Sequence, residues 1–143
     1  MLLGKRILIV EDESLIAMEL ADIVERAGGT VVGPVRTNRD ALRLADDRPV
    51  SAALLDMNLA DGDATPIARR LLDRGVPMVV CTAGLVPLGL RLAFPDLPVH
   101  RKPVDGPRLV RSLMEALDIV PCGNAGPIRA RRSALAGPAT ASP

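Results

Sequence analysis

Two rhythms of apolar residues alternate along this chain. Short unbroken apolar runs give way to stretches in which apolar residues return every three or four positions, and the exchange repeats five times. Residues 5–10 hold the first run, Ile7-Leu8-Ile9-Val10, whose continuity predicts a strand covered on both faces. Residues 14–27 place Ile16, Leu20, Ile23, Val24 and Ala27 on one stripe of a helix that Gly28-Gly29 ends. Residues 30–35 predict a second strand, which Gly33-Pro34 blunts and so assigns to a sheet edge. Thr37 or Asn38 caps a helix running to about Asp47, and Pro49 closes it.

The rhythm continues with a third strand over 50–55 and a turn at Asp61-Gly62. The next helix, capped by Asp63 or Thr65 and with Pro66 in its first turn, points Ala64, Ile67, Ala68, Leu71 and Leu72 inward until Gly75 stops it. A fourth strand spans 76–81. Over 83–96, Gly84, Pro87, Gly89 and Pro95 break the pattern, leaving a short or irregular helix around 88–93 or a mobile loop. A fifth strand covers 97–101. The last helix covers 105–117, with Leu109, Val110, Leu113, Met114 and Leu117 inward. Five strand–helix units in a row define an α/β fold: a parallel sheet with helices on both faces, joined by right-handed crossovers.

The pattern stops near residue 120. Of the 23 residues from Pro121 onward, 15 are Gly, Ala, Pro or Ser, so 1–120 reads as the folded domain and 121–143 as a flexible Gly/Ala/Pro-rich tail. A length of 143 residues suits one domain with a proper core.

Polar residues cluster where the apolar runs end. Glu11-Asp12 follows the first run, Asp56 the third, Thr82 the fourth and Lys102-Pro103 the fifth. In an open parallel sheet these positions meet at the carboxyl edge, where such folds bind ligands. Carboxylates gathered there repel one another unless a cation joins them, and hard oxygen donors favour Mg²⁺, with Mn²⁺ as a substitute. Asp12 and Asp56 would ligate directly, Glu11 through water, and a backbone carbonyl just past Asp56 would complete the set. A carboxylate is also a nucleophile toward phosphorus. Thr82 would then hydrogen-bond one phosphoryl oxygen and Lys102 would offer a point charge to another. A cis bond at Lys102-Pro103 would help aim the lysine.

Composition narrows the alternatives. A net charge of +1 gives no footing for DNA, and the absence of Trp and Tyr leaves no stacking platform for bases. No apolar stretch approaches a membrane span and no secretory h-region opens the chain, so a cytoplasmic location is expected. Cys81 and Cys122 lack metal spacing.

Together, Ile7-Leu8-Ile9-Val10-Glu11-Asp12-Glu13, Leu54-Leu55-Asp56-Met57-Asn58-Leu59, Cys81-Thr82-Ala83 and Arg101-Lys102-Pro103 resemble the receiver domain of two-component response regulators over residues 5 to about 118. The resemblance implies a flavodoxin-like doubly wound five-stranded sheet of order 2-1-3-4-5. It implies that Asp56 accepts a phosphoryl group from a phosphohistidine on a sensor histidine kinase or histidine phosphotransfer protein. Glu11, Asp12, Asp56 and the Asn58 backbone carbonyl would hold Mg²⁺, while Thr82 and Lys102 read the phosphoryl group. The Asp-Met-Asn-Leu and Val-Gly-Pro stretches are similar to stand-alone, stress-pathway receivers of alphaproteobacterial type. With no helix-turn-helix pattern after the domain, a single-domain regulator is expected. Its further partners would be a downstream protein target and a second copy docked on the face of the fourth helix and fifth strand.

The chain departs from the family at Val99, where many receivers carry Tyr or Phe, and in the Gly/Pro-rich stretch after Thr82. Output would then run through reshaping of residues 83–96. Two other classes compete. An aspartyl phosphohydrolase needs an acid two residues past its nucleophile, and Asn58 stands there, so an enzyme is not expected. A degenerate receiver, acting only as a phosphorylation-independent interaction module, is the alternative function. His100 reads as a satisfied, half-buried histidine, and Arg129, Arg131 and Arg132 as a solvated tail.

Overall fold

The structure is a computed structural model that describes residues 1–119. The expected tail, with Cys122 and its three arginines, lies outside those residues. The elements are β1 (Arg6–Val10), α1 (Ser14–Arg26), β2 (Thr30–Val35), α2 (Asn38–Asp47), β3 (Ala52–Leu55), β4 (Asn58–Leu59), β5 (Gly62–Asp63), α3 (Thr65–Asp73), β6 (Met78–Thr82), α4 (Leu88–Ala93), β7 (Val99–Arg101) and α5 (Gly106–Ala116). Five strands form one parallel sheet in the order β2-β1-β3-β6-β7. This is the flavodoxin-like order expected for the five main strands. Strands β4 and β5 form a separate small antiparallel hairpin at the Asp61-Gly62 turn.

Strand alternation sorts the core into two layers. Leu8, Val10, Ala53, Leu55, Met78 and Val80 face one side, where they meet Ala41, Ala45, Ile67, Ala68, Leu71 and Leu90 from α2, α3 and α4. Ile7, Ile9, Ala52, Leu54, Val79 and Cys81 face the other, against Leu20 and Val24 of α1 and Leu109 and Leu113 of α5. Each fully buried aliphatic side chain contributes about 1.5–3 kcal/mol. With a single Phe in the chain, Leu, Ile, Val, Met and Ala supply nearly all of that burial. Cys81 is one of these buried side chains, and burial pushes its thiol up to about 12, so it behaves as a small hydrophobe.

The edge strand β2 carries the irregularity that Gly33-Pro34 announced. Leu8 pairs with Val32 but Val10 pairs with Val35, so an extra residue is accommodated in β2 as a bulge. Gly33 takes φ +95°, and a Cβ there would lie 3.0 Å from the Val35 nitrogen and 3.1 Å from the Ile9 carbonyl oxygen. The bulge matters to the sheet edge, because the Val35 carbonyl accepts the Glu11 N–H at 2.9 Å. Both Gly33-Pro34 and Lys102-Pro103 are cis.

The helices are set by their ends. Thr37 caps α2, its hydroxyl accepting the Asp40 N–H at 3.0 Å, and Asp105 caps α5 by accepting the Arg108 N–H at 3.2 Å. The α4 helix is confined to Leu88–Ala93, between Pro87 and Pro95, as the breakers dictated. No helix among the described residues is long and apolar enough to cross a membrane.

Gly33→Ala puts a side chain into a left-handed position against backbone atoms that cannot step aside. It is expected to lower the unfolding free energy by about 2 kcal/mol, measured by urea denaturation followed by far-UV circular dichroism. A loss below about 0.5 kcal/mol would show that the bulge relaxes around the new methyl group.

Candidate functional site

Sheet register gathers the strand-end residues. Val10 pairs with Leu55, Leu55 with Val80, and Val80 with Val99, so these four make one row across the sheet. Glu11 and Asp56 are the next residues beyond that row. Thr82 ends β6 opposite Arg101, and Lys102 follows at once. The expected fourth strand therefore runs one residue further than its apolar run, with Thr82 its last member rather than its successor.

Glu11, Asp12 and Asp56 each offer a carboxylate oxygen, and these oxygens lie within 4.8 Å of one another. Glu11 is fully buried and Asp56 nearly so, while Asp12 is half-buried. The Asp56 N–H donates to the Val10 carbonyl at 2.9 Å, tying the residue to the end of β1. Its Oδ1 accepts the Asn58 N–H at 3.3 Å. Glu11 Oε2 accepts the Glu13 N–H at 3.1 Å, at the start of α1.

The Lys102 ammonium stands among these acids. Its Nζ lies 2.8 Å from Glu11 Oε1, 3.3 Å from Asp56 Oδ2 and 3.6 Å from Glu13 Oε1. It donates a hydrogen bond to Asp56. The Glu11 Oε1 contact is the shortest of the three, so the ammonium is the charged partner of this buried oxygen. Burial pulls the lysine down, but the Glu11 and Asp56 carboxylates outweigh it and leave the ammonium above its ordinary value. Burial dominates at Glu11 and raises its carboxyl from 4.5 to about 7, despite the opposing pull of Lys102 and the Glu13 N–H.

The donor set fits a hard divalent cation. Three carboxylates whose oxygens lie within 4.8 Å of one another, served by a single ammonium, leave net negative charge to be neutralised. Thr82 is fully buried, and its Oγ1 accepts the Gly84 N–H at 3.1 Å. A cleft of about 320 Å³, lined by Glu13, Ile16, Glu19, Ala83, Lys102, Pro103 and Val104, opens beside the ammonium.

Three features were not anticipated. Glu13 adds a third acid around Lys102. Arg101 Nη1 donates to the Gly84 carbonyl at 2.6 Å and so ties the end of β7 to the loop after Thr82. Gly84 itself backs onto Asn58, where a Cβ would lie 2.7 Å from Nδ2. The neighbours Glu11-Asp12-Glu13 and Arg101-Lys102 carried the only sequence signal for the first two. His100 is half-buried and hydrogen-bonded to the Ser112 hydroxyl at 2.7 Å, and burial lowers its pKa.

Among known proteins, the chain aligns with the phyllosphere-induced regulator PhyR of Methylorubrum extorquens at 44% identity over 64 residues, 43% of this chain and 24% of that protein. The solution structure of SdrG from Sphingomonas melonis is 40% identical with a TM-score of 0.68, over 79% of this chain and 95% of that one. A CheY-like response regulator receiver domain from Methanospirillum hungatei is 27% identical with a TM-score of 0.70, over 80% of this chain and 94% of that one. No family model matches. The chain spans 24% and 39% of the length of two curated relatives, PhyR and the transcriptional regulatory protein PdtaR of Mycobacterium tuberculosis. With its five-stranded sheet of matching order, the chain belongs to the response regulator receiver domains of two-component signalling.

Glu11→Gln removes the buried charge and isolates its contribution. The native state holds the Glu11 proton up to about pH 7, whereas the unfolded chain releases it near pH 4.5. The native state binds more protons in that window, so the Glu11 contribution to stability falls as pH rises through it. In metal-free buffer, the stability of Glu11→Gln over the wild type is expected to grow from pH 4.5 to pH 7 and to level off at about 1–3 kcal/mol by pH 8. Urea unfolding across that range reads the difference. A gap that is flat or shrinking with pH would contradict it.

Proposed function

We propose that this receiver domain takes a phosphoryl group onto Asp56 from a phosphohistidine of a sensor histidine kinase or histidine phosphotransfer protein, in a Mg²⁺-dependent reaction. The observation that carries the reading is the acidic cluster itself: three carboxylates within 4.8 Å, with one ammonium 2.8 Å from Glu11 and 3.3 Å from Asp56. Stability alone does not favour such an arrangement, because buried like charges cost more than a single lysine returns.

Glu11, Asp12, Asp56 and the Asn58 carbonyl would hold the Mg²⁺ ion, which when bound supplies charge neutralisation for the transferring group. A carboxylate oxygen of Asp56 attacks phosphorus as the P–N bond of the donor breaks. The imidazole leaves with the electron pair and takes a proton from solvent. Lys102, already beside Asp56, holds the negative charge that develops on one phosphoryl oxygen. Thr82 donates its hydroxyl proton to another while still accepting the Gly84 N–H. Later attack of water on phosphorus breaks the O–P bond, releases phosphate and restores the carboxylate. The domain catalyses its own turnover of one group and is not an enzyme in the ordinary sense.

The signal leaves through the segment after Thr82. Thr82 Oγ1 holds Gly84 on one side and Arg101 holds it on the other, so a change at the hydroxyl is felt in the loop that leads to α4. Val99 is 42% exposed, and Leu85, Leu88 and Leu92 are exposed around α4. That apolar face suits a downstream target or a second copy. The degenerate reading draws on Val99, which offers no aromatic ring to couple the two motions.

Incubation with a small acyl-phosphate donor and Mg²⁺ is expected to raise the intact mass by one phosphoryl group. Asp56→Ala should gain nothing, and Lys102→Ala should be labelled about 100-fold more slowly. Unlabelled wild type, with small donors and with kinases alike, would move the chain to the degenerate reading.

A further inference from the structure

The two polar residues least explained by the phosphoryl site are Asn38 and Asp61. Asn38 is the first residue of α2 and is 6% exposed; Asp61 lies in the turn of the β4–β5 hairpin. Their hydrogen bonds link the hairpin to the N-terminus of α2, and α2 to the first turn of α3. Asp61 Oδ1 accepts the Asn38 N–H at 2.9 Å, and Oδ2 accepts the Arg39 N–H at 3.2 Å. These are the first two free N–H groups of α2, and Thr37 satisfies the third. In return Asn38 Oδ1 accepts the Ile67 N–H at 3.1 Å, in the first turn of α3, which has no side-chain cap at its own N-cap residue Ala64. Asn38 Nδ2 donates to Asp61 Oδ1 at 3.2 Å and to the Asp63 carbonyl at 2.9 Å, so its amide uses both donors and its acceptor.

The segment enclosed by this exchange is 57–64. It begins one residue past Asp56 and contains Asn58. It is also pinned by the Ala60 N–H to the Arg36 carbonyl at 3.2 Å and by the Ala64 N–H to the Met57 carbonyl at 3.0 Å. A two-residue hairpin has no stability of its own, so its position is set by what braces it.

We propose that Asn38 and Asp61 are positioning residues for the metal-binding loop: Asp61 caps α2, Asn38 at the head of α2 caps α3, and these linked caps fix the segment that carries the Asn58 carbonyl. The inference rests on the proposed Mg²⁺ site. Its physical content is pre-organisation: a carbonyl already in place costs no loop ordering when the ion binds.

Two readouts test it on the full chain. Amide exchange in metal-free protein reads the brace alone, and calorimetric titration with MgCl₂ reads its effect on binding. Asp61→Ala should speed exchange at Ala64 and Ile67 about 10-fold while leaving β1 and β3 protected, and should weaken Mg²⁺ roughly 10-fold, the low end for outer partners of a metal site. Asn38→Ala should do the same from the other side. Asp61→Asn removes the same charge but keeps an oxygen acceptor, and should recover most of the affinity. The inference is overturned if Asp61→Ala binds Mg²⁺ as the wild type does, or if Asp61→Asn loses as much as Asp61→Ala, since charge alone would then be the cause. Wild type that binds no Mg²⁺ would instead remove the metal reading, while the exchange data would still report whether the loop is braced. If Asp61→Ala does not fold, Asn38→Ala and Asp61→Asn carry the same comparison.

Discussion

One ammonium holds the carboxyl edge of this sheet together. Parallel pairing of β1 with β3 places Glu11 and Asp56 side by side, and at a few ångströms two buried carboxylates repel by about 4 kcal/mol even at a generous effective dielectric. Lys102 reaches both, and its own backbone N–H is held by the Thr82 carbonyl at 3.3 Å. Burial, more than this repulsion, makes Glu11 hold its proton to about pH 7. The site is thus a place where the fold is less stable than it could be, which is the usual mark of residues kept for chemistry rather than for packing.

The residue before this lysine ties the end of β7 to the loop after Thr82. Lys102 and Arg101 are adjacent, yet they serve different neighbours: the first faces the acids, the second grips the Gly84 carbonyl. Strand alternation explains this division. His100 turns toward α5, where it meets Ser112, while Val99 and Arg101 turn toward the side of α4. Where relatives of this family place an aromatic ring, the chain has a small side chain at 99 and a guanidinium two residues on, anchored to backbone rather than packed in a slot. A hydrogen bond to a carbonyl and a ring in a pocket respond differently to a displaced loop. The first is directional and breaks within a fraction of an ångström, while the second slides.

Much of this could be read from the apolar rhythm, because buried parallel strands and amphipathic helices leave strong periodic signals. The five main strands, the blunted edge at Gly33-Pro34 and the confinement of α4 between Pro87 and Pro95 were all legible. The site was legible because its residues sit at strand ends, where register alone brings them together. What failed to show was structure with no period. The β4–β5 hairpin is two residues on each side and follows no alternation that a sequence could reveal. The cap of α3 misled for a different reason: Asp63 and Thr65 are local candidates, and Asp63 does accept the Thr65 N–H at 2.9 Å, but Ile67 is served by Asn38, 29 residues away. Long-range side-chain hydrogen bonds leave no local trace.

These linked caps also constrain how this chain can change. Asn38 and Asp61 do not each perform a separable task, since a residue without an acceptor at 61 strands N–H groups at the start of α2 and one donor of the buried Asn38 amide. A lineage leaving this arrangement must therefore cross a weakened intermediate, replace both residues together, or keep an oxygen acceptor at 61. The pair is a small ratchet: drift at 61 is resisted by the buried amide it would strand, and the loop between them inherits that resistance without contributing to it.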